Sequence, residues 1–280
     1  MIRYLVSFII IATIATTGLL IHAQEELSSE SSGVTFEQLQ SDYLFQLEQY
    51  RKAETRFNLD KAEFTKLQTL ASREKAVESM RPYLDARAHV LSTYLRALQF
   101  LLNQAQGIDI SDKNATLDKH EQAQSYIANF RSQIPSLVDR DSANKASSTF
   151  EQQGLPLIFE VQYRTLTLLA IGRVQRVYDQ YELALQEFKT DYFEPIPDEG
   201  KKAQIERGLK DVDFHAQAAD VLLQQIVKDF PPFLTPEDLE TEKRNPNFQT
   251  NYTTTVSELQ KVSGSIRTSL RFLTELERQV

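Results

Sequence analysis

Apolar positions recur with helical spacing along most of this chain. Phe36, Tyr43, Tyr50, Phe57 and Phe64 stand seven residues apart, with Leu39, Leu47, Ala53 and Leu67 beside them. A strict seven-residue repeat holds one seam against a partner helix and imposes a left-handed supercoil. Thr35 opens this helix, with Gln38 three residues on as its capping-box partner. Large rings do not suit a tight two-stranded coil, so the stripe predicts a wider bundle or a seam against small residues.

A turn is predicted at Thr69 to Ser72, with Ser72 capping the next helix. Val77, Leu84, Ala88, Leu91, Leu95, Leu98, Leu102 and Ala105 then mark an apolar face. Pro82 lacks an amide hydrogen and predicts a kink near Met80–Arg81; alternatively the first helix runs to Met80 and the second begins at Pro82. Gly107 closes the segment in the left-handed position. Ser111 is expected to cap a third helix reaching about Ser132, with Leu117, Tyr126, Ile127 and Phe130 inside and Pro135 ending it. The Ser-rich stretch Leu137 to Gln153 predicts a short, weak helix that Gly154-Leu155-Pro156 breaks, and Pro156 suits the first turn of the next one.

That fourth long helix is the most apolar. Val161, Leu168, Ile171, Val174, Tyr178, Tyr181, Leu185 and Phe188 form its stripe, widened by Leu166 and Leu169, which predicts burial on two sides and a central position. Pro195-Ile196-Pro197 forces an extended connection. Asp198 caps a fifth helix with Ile205, Leu209, Val212, Ala216, Ala219, Leu223, Ile226 and Phe230 inward, and Pro231-Pro232 stops it. Thr235-Pro236-Glu237 restarts a short helix. Val256, Leu259, Ile266, Leu270 and Leu273 define a C-terminal helix reaching almost to Val280.

The fold expected is therefore all-α: an elongated antiparallel bundle, or coiled-coil hairpins, of about five or six long helices. A helix of ~33 residues is ~50 Å long. Ordering it costs roughly 1–2 kcal/mol per residue, and each large buried side chain returns ~1.5–3 kcal/mol. One seam of about ten side chains does not offset that cost, so such helices need neighbours. No clean repeat of fixed period appears, which leaves a solenoid as the minor alternative.

The N-terminus reads differently. Met1-Ile2-Arg3 precedes the uncharged run Tyr4 to Ile21, and Ile21-His22-Ala23 leads into an acidic, Ser-rich stretch. This pattern is that of a signal peptide over residues 1–23, cleaved after Ala23. An uncleaved anchor is the alternative, weakened by Ser7, Thr13, Thr16, Thr17 and Gly18. Residues 24–34 then form a flexible spacer and 35–280 the helical body. The expected location is secreted or extracytoplasmic, at the cell envelope.

Composition narrows the function classes. With 8 Gly in 280 residues, a sandwich or barrel lacks its turns. The net charge of −8, with acids and bases interspersed, offers no basic face for nucleic acid. The absence of Cys removes a thiolate metal site, a Cys nucleophile and a lipid-modified N-terminal Cys.

Candidate chemistry is sparse. Asp85 lies one turn before His89, and Asp211 one turn before His215; either pair shares a helix face and has the groups to ligate a metal or move a proton. An exposed helix pair accounts for the same spacing. His120-Glu121 has no second His, and Glu-x-x-His is absent. Arg267, Arg271 and Arg278 lie near one face of the last helix, either facing an acidic partner or solvated beside Glu275 and Glu277. The aromatic stripe is either core or the lining of a ligand groove. Asn114-Ala115-Thr116 and Asn251-Tyr252-Thr253 match the glycosylation sequon. No catalytic residue, cofactor or metal ligand is nominated.

Gln49-Tyr50-Arg51, Phe57, Lys61-Ala62-Glu63-Phe64, Leu67 and Tyr94-Leu95-Arg96-Ala97-Leu98 resemble a group of uncharacterised exported helical proteins of small-genome bacteria. The resemblance covers about a third of the chain and implies a bacterial, signal-bearing, coiled-coil-rich protein without assigned activity. The expected role is a non-enzymatic structural or interaction protein presenting helical faces to a protein partner or to itself. The alternative is a ligand-binding helical sensor, in which polar residues converge inside the bundle.

Overall fold

A computed structural model describes residues 33–230, 233 and 247–279. The expected signal segment, most of the spacer and the short helix at Thr235-Pro236-Glu237 lie outside them. Phe36–Val280 form one compact unit. The described residues contain no strand, and six long helices pack as an all-α bundle. We label the helices α1 (Phe36–Leu67), α2 (Leu70–Gln104), α3 (Ile110–Gln133), α4 (Arg140–Thr149), α5 (Leu155–Glu187), α6 (Glu199–Lys228) and α7 (Phe248–Glu277). Among the described residues no helix is long and apolar enough to cross a membrane.

The heptad stripe of α1 is a seam, but its partner is not small. Phe36 meets Phe100, Tyr43 meets Tyr94, and both Tyr50 and Phe57 meet Tyr83, with ring centroids 5.0–6.3 Å apart. The pairing runs antiparallel, and offset rings interlock where a ring against a ring on a straight coil would not fit. The hairpin turn is Gln68–Thr69, where Gln68 takes a left-handed φ of 52°. Thr69, rather than Ser72, is the N-cap of α2, and Ser72 is its capping-box partner. The alternative helix boundary at Pro82 is overturned, because α2 runs unbroken through it.

Asp109, rather than Ser111, caps α3, accepting from the amides of Ser111 and Asp112. A carboxylate there also suits the positive end of the helix. The loop before it presses on α5: Gly107 sits at φ +72°, and a Cβ on it would come 2.5 Å from the carbonyl oxygen of Gly172. Gly154-Leu155-Pro156 does not break the chain. A π-turn over Phe150–Gly154 joins α4 to α5, with the Leu155 amide donating to the Phe150 carbonyl.

α5 is the centre, in contact with α2, α3, α6 and α7. There Ile171, Tyr178, Tyr181 and Phe188 join Ile205, Leu209, Val212, Ala219 and Leu223 of α6 and Leu259, Val262, Ile266 and Leu273 of α7 in one core. Asp198 caps α6 as its position predicts. Leu270 is the exception in the apolar reading of α7: it is exposed, and Ser269 points inward. Ser269 donates to the Val212 carbonyl at 2.8 Å and meets the Tyr181 hydroxyl at 2.7 Å, tying the three helices together.

Candidate functional site

The most apolar helix carries, in its N-terminal half, the densest buried polar stretch. Glu160, Gln162, Thr165 and Thr167 of α5 are all buried. Threonines cost little there, because each hydroxyl returns its hydrogen to the preceding turn: Thr165 to the Val161 carbonyl at 2.7 Å and Thr167 to the Tyr163 carbonyl at 2.8 Å.

Thr165 thereby fixes a histidine. Its hydrogen is spent on Val161, so its oxygen accepts from Nε2 of His120, 2.8 Å away on α3. This network assigns the proton to Nε2. Nδ1 is left as a bare acceptor, buried and without a hydrogen bond. Burial pushes the His120 pKa down to about 4, so the ring is neutral at pH 7. The Gln162 Oε1 is likewise buried and unpaired.

One residue before Thr165, Arg164 is clamped. Its Nη2 donates to Asp112 of α3 at 3.0 Å. Its guanidinium carbon lies 4.2 Å from the Phe230 ring centroid and 4.0 Å from that of Phe233. Lys119 also approaches Phe233, at 5.4 Å. Burial lowers the Arg164 pKa, while Asp112 and Glu160 oppose the shift. A desolvated guanidinium beside aromatic rings gains about 2 kcal/mol or more. The residues that bracket Pro231-Pro232 thus fasten the end of α6 to α5 and α3.

Across the helix four tyrosines gather. Tyr163 lies tilted against Tyr252 of α7, with ring centroids 5.9 Å apart, and Tyr94 of α2 against Tyr43 of α1 at 5.5 Å. Burial raises the pKa of Tyr94, and that of Tyr43 to about 12, so these phenols stay protonated. The stretch therefore combines uncharged hydroxyl and imidazole groups with one clamped cation and the carboxylates of Asp112 and Glu160 that face it. The open acceptors of this buried stretch are His120 Nδ1 and Gln162 Oε1.

The carboxylate–imidazole pairs fare differently. Asp85 is taken by Arg131 of α3 at 2.8 Å, and His89 beside it has its pKa lowered, first by burial. His215 stacks on Phe272 of α7 at 5.7 Å. The pairs sit on different helices, α2, which packs chiefly on α1, and α6, which packs chiefly on α7. Among the described residues no group of three His, Asp or Glu side chains is placed to hold a metal ion. Arg267, Arg271 and Arg278 are exposed, with Arg271 at 4.0 Å from Glu275. Asn114 and Asn251 are exposed on α3 and α7.

Two surface concavities lie elsewhere. One of about 650 Å³ is lined by Phe64, Gln68, Leu70, Arg73 and Arg140, where Arg140 stacks 5.1 Å above Phe64. The other, about 630 Å³, lies along α3 beside Glu121 and Tyr126. Sequence reasoning missed Gln162, Arg164 and Thr165, because polar residues inside an apolar stripe read as its solvent side. The only signal was their density: Glu160-Val161-Gln162-Tyr163-Arg164-Thr165 interrupts an otherwise apolar run. No protein-family model, curated protein or solved structure matches the chain.

Proposed function

We propose that this is a non-enzymatic interaction protein of the cell envelope, which uses an outer helical face to bind a protein. The observation that carries the reading is the state of α1. This helix of 32 residues buries only Leu39, Tyr50 and Asp60 and packs chiefly on α2. Its far side exposes Leu44 and Phe45 at 56% each and Leu59 at 63%. A helix ~48 Å long held by one seam is under-supported for its ordering cost, and a partner on the free side supplies what is missing. Phe214, Ala218 and Val221 form a shorter exposed stripe on the outer side of α6. The envelope location rests on the signal-like residues 1–23.

The test is in-cell footprinting of the α1 face. Labelling at Leu44, Phe45 and Leu59 is expected to be lower in intact cells than in the purified, dilute chain. Equal labelling in both would refute the interaction reading.

A second reading, a ligand-binding helical sensor, is favoured by one observation: the buried, unpaired His120 Nδ1 and Gln162 Oε1. Under it, a small polar molecule raises the midpoint of thermal unfolding of the wild type but not of His120→Phe. A ligand screen in which both proteins shift together would sink it.

A further inference from the structure

We propose that the outer face of α1 pairs antiparallel with the same face of a second copy of this chain, about a two-fold axis near Lys52. The inference rests on the interaction reading above and names its partner. Its ground is a segregation of charge along the helix. Between Phe36 and Gln49 every exposed charged side chain is acidic: Glu37, Asp42 and Glu48. Between Tyr50 and Leu67 every exposed charged side chain is basic: Arg51, Lys52, Arg56, Lys61 and Lys66. The acids of the second half are withdrawn from the surface. Glu54 and Glu63 are half-buried, and Asp60 is buried beside Arg56 and Lys75.

Such a helix is complementary to itself only when reversed. A parallel, in-register pair sets acid against acid and base against base. The antiparallel pair sets each acidic half against a basic one, and a two-fold axis makes every contact twice. Placing Phe45 opposite Leu59 fixes the register on two of the exposed apolar side chains. Glu48 then comes level with Arg56, and Glu37 stands beside Lys66. The two Lys52 side chains approach at the axis, and each already carries Glu48 of its own helix at 2.6 Å. A partner of unrelated sequence would not require this self-matching pattern.

The full chain in nonionic detergent is measured by sedimentation equilibrium. A monomer–dimer equilibrium is expected, weakening at least about tenfold from low to high salt as screening grows. Asp42→Lys with Glu48→Lys makes the exposed charge almost wholly basic; Lys52→Glu, Lys61→Glu and Lys66→Glu together make it mainly acidic. Each variant alone is expected to be monomeric with unchanged helical circular dichroism, and a mixture of the two to dimerise. Because the chain has no Cys, single thiols report the geometry. Ser41→Cys mixed with Ala62→Cys is expected to form the linked dimer. Either variant alone is not, since its own copies lie about 30 Å apart along the helix.

A wild-type chain that stays monomeric at low salt overturns the proposal. So does a dimer that survives both charge variants, or Ser41→Cys chains that link to themselves as readily as to Ala62→Cys. If the wild type is monomeric while the α1 face stays protected in cells, self-pairing fails and the interaction reading stands. If the face is unprotected as well, both fail.

Discussion

Replacing His120 by Gln should flatten part of the acid limb of the stability curve. The imidazole is fully buried, its only hydrogen bond is to Thr165, and burial alone moves its pKa, from 6.5 to about 4. Unfolded, it takes a proton near pH 6.5; folded, it refuses one until about pH 4. Between those values the unfolded chain binds more protons, so stability rises with pH across the window. The stabilisation is present in full above pH 6.5 and is lost as the pH falls from there towards 4. At pH 4.5 the loss relative to pH 7 is about 2 kcal/mol. Carboxylates titrate in the same range, so the comparison must be between two proteins. Urea unfolding of wild type and His120→Gln at pH 7.0 and 4.5 gives four free energies, and the wild type should lose about 2 kcal/mol more than the variant. The amide keeps a donor for Thr165 and cannot take up the proton. Equal losses in the two proteins would refute the assignment of a neutral, unpaired ring.

Three further substitutions separate packing from polarity. Gly107→Ala should cost about 2 kcal/mol or more, from its positive φ and the clash with Gly172, whereas Gly264→Ala, with open space around it in α7, should gain about 0.5–1 kcal/mol; urea midpoints compare the two. Arg164→Lys should destabilise by about 1–3 kcal/mol despite keeping its charge, because the planar fork between Phe230 and Phe233 is lost; a variant as stable as wild type would remove the clamp from the account. Ser269→Ala should cost about 1–2 kcal/mol by stranding the Tyr181 hydroxyl, and Tyr181→Phe should recover part of that in the double variant.

The helices and their order were legible because apolar periodicity survives any choice of partner. The inward residues of α6 from Ile205 to Ile226 are those its four-three spacing selects. What periodicity does not carry is identity across a contact. The stripe from Phe36 to Phe64 announced a seam, yet nothing in those residues says that Tyr83, Tyr94 and Phe100 will face it. Caps were misplaced by two or three residues where several polar candidates stood in a row, as with Thr69 against Ser72 and Asp109 against Ser111. Leu270 was read as inward because it is apolar, when the geometry of α7 gives the inward place to Ser269 and satisfies its hydroxyl there. The polar stretch of α5 was hidden for the converse reason. Partners that make Thr165 and Arg164 tolerable inside lie some 45 and 52 residues away.

The position of α5 has a consequence for how the molecule comes apart. Its 33 residues serve two neighbourhoods, one with α2 and α3 and the other with α6 and α7. A cut anywhere along it would strip one neighbourhood of the strut that completes it. Neither fragment would then hold its shape alone, though the two should reassemble when mixed, each lending the other the missing surface. Loss of order at one end should likewise travel to the other through this shared beam, so that the unit from Phe36 to Val280 melts in a single step.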